Sequence, residues 1–176
     1  MGTRGWVVAL LLVAGAAQAR EVADVRMPDA ISLEGRQLAL DHMELKRKFF
    51  FDIYVWGLYL EHKPGSTREA IESQQPKQLL LRFQRGLKRD QLEGAFRTFL
   101  GHSTALRTAE MRRHSELLVQ SLRGVTKGDS LVITYLPEKG LTVSGEASQG
   151  AVIPGKEFAD ALFDAWLHEN PIYEPN

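Results

Sequence analysis

The chain has 176 residues, with 22 basic and 22 acidic side chains and no cysteine. Balanced charge lacks the clustered basic excess of a nucleic-acid binder, and the missing thiols exclude disulfides, CxxC redox chemistry, cysteine nucleophiles and c-type haem attachment. The length is that of one domain with one core.

In chain order, the first feature is Arg4, then the apolar run Trp6 to Ala14, then Ala17-Gln18-Ala19. A cation, a short apolar core and an A-x-A site form the layout of a secretory signal peptide, so cleavage is expected after Ala19. The apolar core is short for a bilayer span, which makes an uncleaved anchor the lesser alternative. The expectation is a signal peptide over 1–19 and a single periplasmic domain over 20–176, with no transmembrane segment in the mature chain. Loss of Arg4 leaves one acid in excess.

Residues 31–40, ISLEGRQLAL, alternate on either side of Glu34-Gly35-Arg36, which predicts two short strands around a turn. The stretch 49–60, FFFDIYVWGLYL, is apolar on both parities and rich in aromatic and β-branched residues, as in a strand buried on both faces. Ser66 or Thr67 caps a short helix through about Gln74, closed by Pro76. A strand over 77–84 follows, with Leu79, Leu81 and Phe83 on one face. The period then changes: Leu92, Ala95, Phe96, Phe99 and Leu100 predict a helix from Lys88 to Leu100, ended by Gly101. A second helix is expected over 104–122, on Leu106, Ala109, His114, Leu117, Leu118 and Leu122.

Beyond Lys127-Gly128-Asp129, SLVITYL and LTVS around Pro137–Gly140 predict a hairpin, with a third short strand through 151–153. The last helix, 156–168, carries Phe158, Ala161, Leu162, Ala165 and Trp166 on one stripe and is stopped by Pro171. Strand runs separate from helix runs indicate an α+β architecture, an antiparallel β-sheet covered on one face by a layer of helices.

Catalytic patterns are scarce. The five histidines show no i+2 or i+4 pairing, so no zinc arrangement of the HExxH kind exists, and there is no G-x-S-x-G elbow or Walker loop. What stands out is apolar sequence with a few polar groups embedded: Asp52 and Tyr54 in the strand, and Lys46, Arg47 and Lys48 at its entrance. Such a set fits either a structural edge or a mostly apolar cleft with a few convergent polar groups. A cation at the mouth of a cleft suits a carboxylate head group.

Three blocks then carry a resemblance: KFFFDIYVWGLYLE at 48–61, KGDSLVITYLPEKGLTV at 127–143, and IPGKEFADALFDAWL at 153–167 with Pro171 beyond. In this order they resemble the exported bacterial branch of the chalcone isomerase-like family, over residues 25–173. The resemblance implies the chalcone isomerase fold, an open-faced sandwich with a cleft between sheet and helices. The family holds intramolecular lyases that close chalcones to flavanones as well as non-catalytic fatty-acid binders. Against the plant-type catalytic set, the arginine falls on Lys46 or, one residue on, Arg47. The strand threonine falls on Tyr54, the tyrosine near Lys88, the asparagine near Ala95 and the last-helix hydroxyl on Ala159.

The leading expectation is therefore a non-catalytic periplasmic binder of an acyl chain or other apolar small molecule. Lys46, Arg47, Asp52 and Tyr54 are its expected polar contacts, Phe96 and Phe99 its wall, and no cofactor is expected. One alternative is a chalcone isomerase-type lyase using Lys46 or Arg47 with Tyr54. Another is an interaction module whose cleft Trp56 or Trp166 plugs, and a third is a haem binder using His42. The oligomeric state is left open.

Overall fold

A computed structural model describes residues 18–170. The segment expected to be a signal peptide lies, apart from Gln18 and Ala19, outside these residues, as does Pro171. Two short strands, β1 (Ala19–Val22) and β2 (Val25–Pro28), form a hairpin by themselves. Next come β3 (Ala30–Leu33), β4 (Arg36–Lys48), β5 (Phe51–Leu60), α1 (Thr67–Glu72), β6 (Lys77–Phe83) and α2 (Arg89–His102). Then follow α3 (Ala109–Gln120), β7 (Ser130–Leu136), β8 (Gly140–Ser144), β9 (Ala151–Ile153) and α4 (Lys156–Glu169). Strands β3 to β9 make one sheet in sequence order, every neighbouring pair antiparallel.

The helices gather on one face, over Trp56, Leu58, Leu79, Leu81, Phe83, Leu131, Ile133 and Leu141. Large apolar side chains of this kind each stabilise the fold by roughly 1.5–3 kcal/mol when fully buried. Helix α4 supplies much of the other half: the expected stripe Phe158, Ala161, Leu162, Ala165 and Trp166 is buried, and Ala159, Phe163 and Leu167 widen it. Among the described residues, the opposite face is covered at one side, where Val25 and Met27 of β2 pack on Leu38, Leu40, Val55 and Tyr59. Gly57 makes that approach possible, since a Cβ there would lie 2.7 Å from Met27 Sδ. So β5 is indeed buried on both faces over Val55–Leu60.

Several expectations need correction. The β1–β2 hairpin is an addition to the predicted elements. The strand after Gly35 does not end near residue 40 but runs to Lys48, and Phe49 and Phe50 form its exposed turn rather than the start of a buried strand. The predicted helix 104–122 is two pieces, a 3-10 turn at Ala105–Arg107 and α3, because the Thr108 hydroxyl accepts the backbone N–H of Met111 and starts a new helix. That break rotates the stripe, so Met111, Leu118 and Val119 are buried while Ala109 and Leu117 are exposed.

The lengthened β4 holds the irregularity that matters most. Leu40 pairs with Tyr59, but His42 pairs with Leu58, so Asp41 is an extra residue in the ladder. A one-residue bulge exchanges the faces of everything beyond it. Leu38 and Leu40 before it, and Met43 and Leu45 after it, therefore lie on the β2-covered side, whereas Glu44 and Lys46 stand beside Trp56 and Tyr54 on the helix side. A second shift, between Lys46–Tyr54 and Arg47–Asp52, makes Ile53 the extra residue of β5.

Candidate functional site

At the end of the sheet where these bulges lie, the helix layer stands away from the strands. The space is a cleft of about 530 Å3. Its floor is Ile53 and Tyr54 of β5 with Leu81 and Phe83 of β6; one wall is α2, through Leu92, Phe96 and Phe99; the far end is Trp166 of α4. Tyr54 lies 6.1 Å edge-on from Phe83 and 6.0 Å from Trp166, and Phe99 meets Trp166 edge-on at 5.6 Å. Edge-to-face contacts of this kind are favourable beyond the area they bury and hold the wall rigid.

Polar groups sit at one mouth. Lys46, Arg47 and Lys48 of β4 line it, with Glu169 and Asn170 opposite. Lys46 Nζ donates to Asn170 Oδ1 at 2.9 Å, and Asn170 Nδ2 donates to the carbonyl of Trp166 at 2.9 Å, which ties the end of α4 to β4. His102 Nδ1 lies 2.8 Å from Glu169 Oε1 and joins α2 to α4 in the same way. Burial, and after it the charges of Glu169 and Glu44, push the Tyr54 phenol well above the ordinary tyrosine range. Its hydroxyl stays protonated at physiological pH and keeps its capacity to donate a hydrogen bond.

Of the residues singled out from the sequence, Lys46, Arg47, Tyr54, Phe96 and Phe99 come together in this lining. Asp52 is outside it: its Oδ1 accepts from Arg47 Nε at 2.7 Å, so it orients the cation. His42 is also outside the lining, with its ring 4.9 Å from Trp56 and its Nε2 3.4 Å from Glu44 Oε2. Trp56 is fully buried behind Trp166 at 5.7 Å, and neither indole fills the space. Of the other positions marked by the resemblance, Ala95 lines the cleft, Lys88 is exposed at the start of α2, and Ala159 is buried in the core.

Sequence reasoning missed Gln91, Thr98 and His102, which line the cleft with Ala95. Their steps of four, three and four trace a second stripe on α2, one position from the buried stripe of Leu92, Phe96 and Leu100. A solvated face would carry charges, as Arg89, Asp90, Glu93 and Arg97 do; small or uncharged polar residues mark a face turned to a cavity. Another hollow, about 570 Å3 between α1 and α4, is bordered by Arg68, Glu72, Glu157, Asp160 and Asp164, with Glu72 paired to Arg68 and Asp160 to Lys156, and has no aromatic lining. Among the described residues, no group of three or more metal-ligating side chains is placed to hold an ion, and no helix is long and apolar enough to cross a membrane.

A family profile described as chalcone isomerase-like matches residues 19–174. Among solved structures, the crystal structure of an Arabidopsis thaliana fatty-acid binding protein superposes with a TM-score of 0.66 at 14% identity, over 88% of this chain and 91% of that one. No curated protein matches the sequence.

Proposed function

The chain belongs to the chalcone isomerase-like family, and on that footing we propose that it is an exported, non-catalytic protein that holds a fatty-acid-like amphiphile in the cleft between sheet and helices. The observation that carries this reading is the cleft's polarity: an apolar, aromatic interior that ends at Lys46, Arg47 and the Tyr54 hydroxyl. An acyl chain fits the first part, and a carboxylate accepts from the second. The fatty-acid binding protein of the same fold lends support, although at 14% identity the likeness itself extends to fold alone. Export is supported by Arg4, the apolar run behind it and the A-x-A site.

Native mass spectrometry of protein purified gently from its own compartment tests the reading. A discrete added mass that leaves on denaturation is expected. Bare polypeptide, together with no uptake of palmitate, would overturn the proposal. The head-group assignment has its own check in Lys46→Met. A charge-assisted hydrogen bond is worth about 1.5–3 kcal/mol, so palmitate affinity should fall roughly ten- to a hundredfold. Affinity for methyl palmitate should hardly change.

The lyase reading retains one observation, that the positions matching the catalytic arginine, Lys46 and Arg47, do line the cleft. Its test is turnover of a chalcone that disappears in Arg47→Ala.

A further inference from the structure

The hairpin between β4 and β5 closes with a two-residue loop, Phe49-Phe50, between the paired residues Lys48 and Phe51. Phe49 is 84% exposed, Phe50 98% and Phe51 55%. The other large apolar side chains exposed among the described residues, Leu117 and Val152, stand singly. Phe49 also has φ +56°, in the left-handed region that glycine, asparagine and aspartate occupy at low cost. The chain's other tight hairpin turns place Ala23-Asp24 and Glu34-Gly35 at positive φ. A phenylalanine here accepts backbone strain and, at 84% exposure, hydration of most of its ring, with little burial to offset either.

The surroundings are cationic. Lys48 adjoins the loop, and the Arg85 guanidinium lies 4.4 Å over the Phe51 ring. Arg47 and Asp52, the next charges on the hairpin, pair with each other and cancel, which leaves Lys48 and Arg85 as the cationic excess at the tip. Lys46, Arg47 and Lys48 at the cleft mouth and Ile53 in its floor lie just behind the tip of the same hairpin.

We infer that the Phe49–Phe51 tip is a membrane-docking device that inserts its aromatic rings into the interface of an anionic phospholipid bilayer. Aromatic rings favour the interfacial zone, and basic residues beside them gain from anionic head groups. The tip is convex and two residues wide, a shape that a fluid lipid interface accommodates and that a protein partner could meet only with a matching aromatic pocket. Docking in this pose sets the cleft mouth on the lipid surface. The inference stands on the tip's exposure, strain and charge, and is independent of what the cleft holds.

The test is sedimentation of the protein, purified as the cell processes it, with vesicles of phosphatidylethanolamine and phosphatidylglycerol at 3:1, and with vesicles of phosphatidylcholine alone. Binding to the anionic vesicles is expected, at least tenfold weaker on phosphatidylcholine and in high salt. The double variant Phe49→Asn, Phe50→Ser, which relieves the strained loop position and touches no core, should lose at least tenfold on the anionic vesicles. In Phe50→Trp, brominated acyl chains should quench the new indole, a readout local to the tip. The inference is overturned if the wild type ignores anionic vesicles, if the double variant binds as well as wild type, or if the indole is not quenched. It is also overturned if the tip instead drives a dimer in solution that the double variant dissolves. Palmitate uptake by the double variant is measured alongside, so that failure of docking and failure of the cleft reading are told apart.

Discussion

Lys77 shows how far single side chains can depart from their usual behaviour in this fold. It is fully buried at the start of β6, and its Nζ donates to the carbonyls of Ala70, at 2.9 Å, and Ile71. These are carbonyls that the short helix α1 would otherwise leave without partners. The rings of Phe163 and Tyr135, at 5.4 and 5.5 Å from the ammonium, complete its surroundings. Burial lowers its pKa from 10.5 to about 8. Below pH 8 both folded and unfolded chains hold the proton, and the cost of burying the charge is present in full. Between pH 8 and 10.5 the folded chain has released a proton that the unfolded chain still binds, so this residue makes stability rise with pH. Thermal melts from pH 7.5 to 10 should show that rise in wild type and not in Lys77→Met. Equal slopes in the two proteins would show that the ammonium is not desolvated.

At the scale of elements, β4 decides which chemistry reaches the cleft. With Asp41 as the extra residue, Lys46 stands on the helix side and Leu45 on the β2 side. Deleting Asp41 would exchange them, driving the lysine toward Val55 and Leu80 and presenting a leucine to the head-group end. The expected result is loss of carboxylate binding and a stability loss of about 1–3 kcal/mol, since Leu45 is only half-buried and a lysine in its place can extend its ammonium to water. Asp41→Ala, which keeps the residue count, should retain binding. A deletion variant as stable as wild type in urea melts would refute this account of the register.

The bulge also explains what was legible in the sequence. Apolar residues at 38 and 40 and then at 43 and 45 change parity across Asp41, and a broken alternation of that kind looks like the end of a strand; a bulge gives the same signal. The helices with a single clean stripe, α2 and α4, and the strands β6 to β9 could be read from periodicity. The break at Thr108 could not, since a threonine inside an apolar period gives no sign of whether its hydroxyl will cap. The apolar lining was half legible for a similar reason: Phe96 and Phe99 belong to the core stripe, while Gln91, Thr98 and His102 resemble a solvated face until the cavity beside them is known.

For the whole molecule, the cleft is a place where the packing of two layers is deliberately incomplete. Each of β3 to β9 pairs with its sequence neighbours, so the sheet needs no long crossover and its core is one cluster from Trp56 to Leu167. The helix layer closes over that core but separates from β4 to β6, where the Lys46–Asn170 contact bridges the gap and His102–Glu169 holds α2 to α4 above it. A ligand seated there would add apolar contact to Phe96, Phe99 and Trp166 in the folded state alone, and so must stabilise the fold by mass action. At a free concentration one hundred times its Kd the gain is about 2.7 kcal/mol. For a domain of this size that corresponds to a rise of roughly 5–11 °C in Tm. Delipidated protein titrated with palmitate should show this rise, saturating with dose, and Lys46→Met should need a correspondingly higher dose for the same shift. An unchanged Tm at saturating palmitate would mean that the cleft does not take the acyl chain, whatever the family resemblance implies.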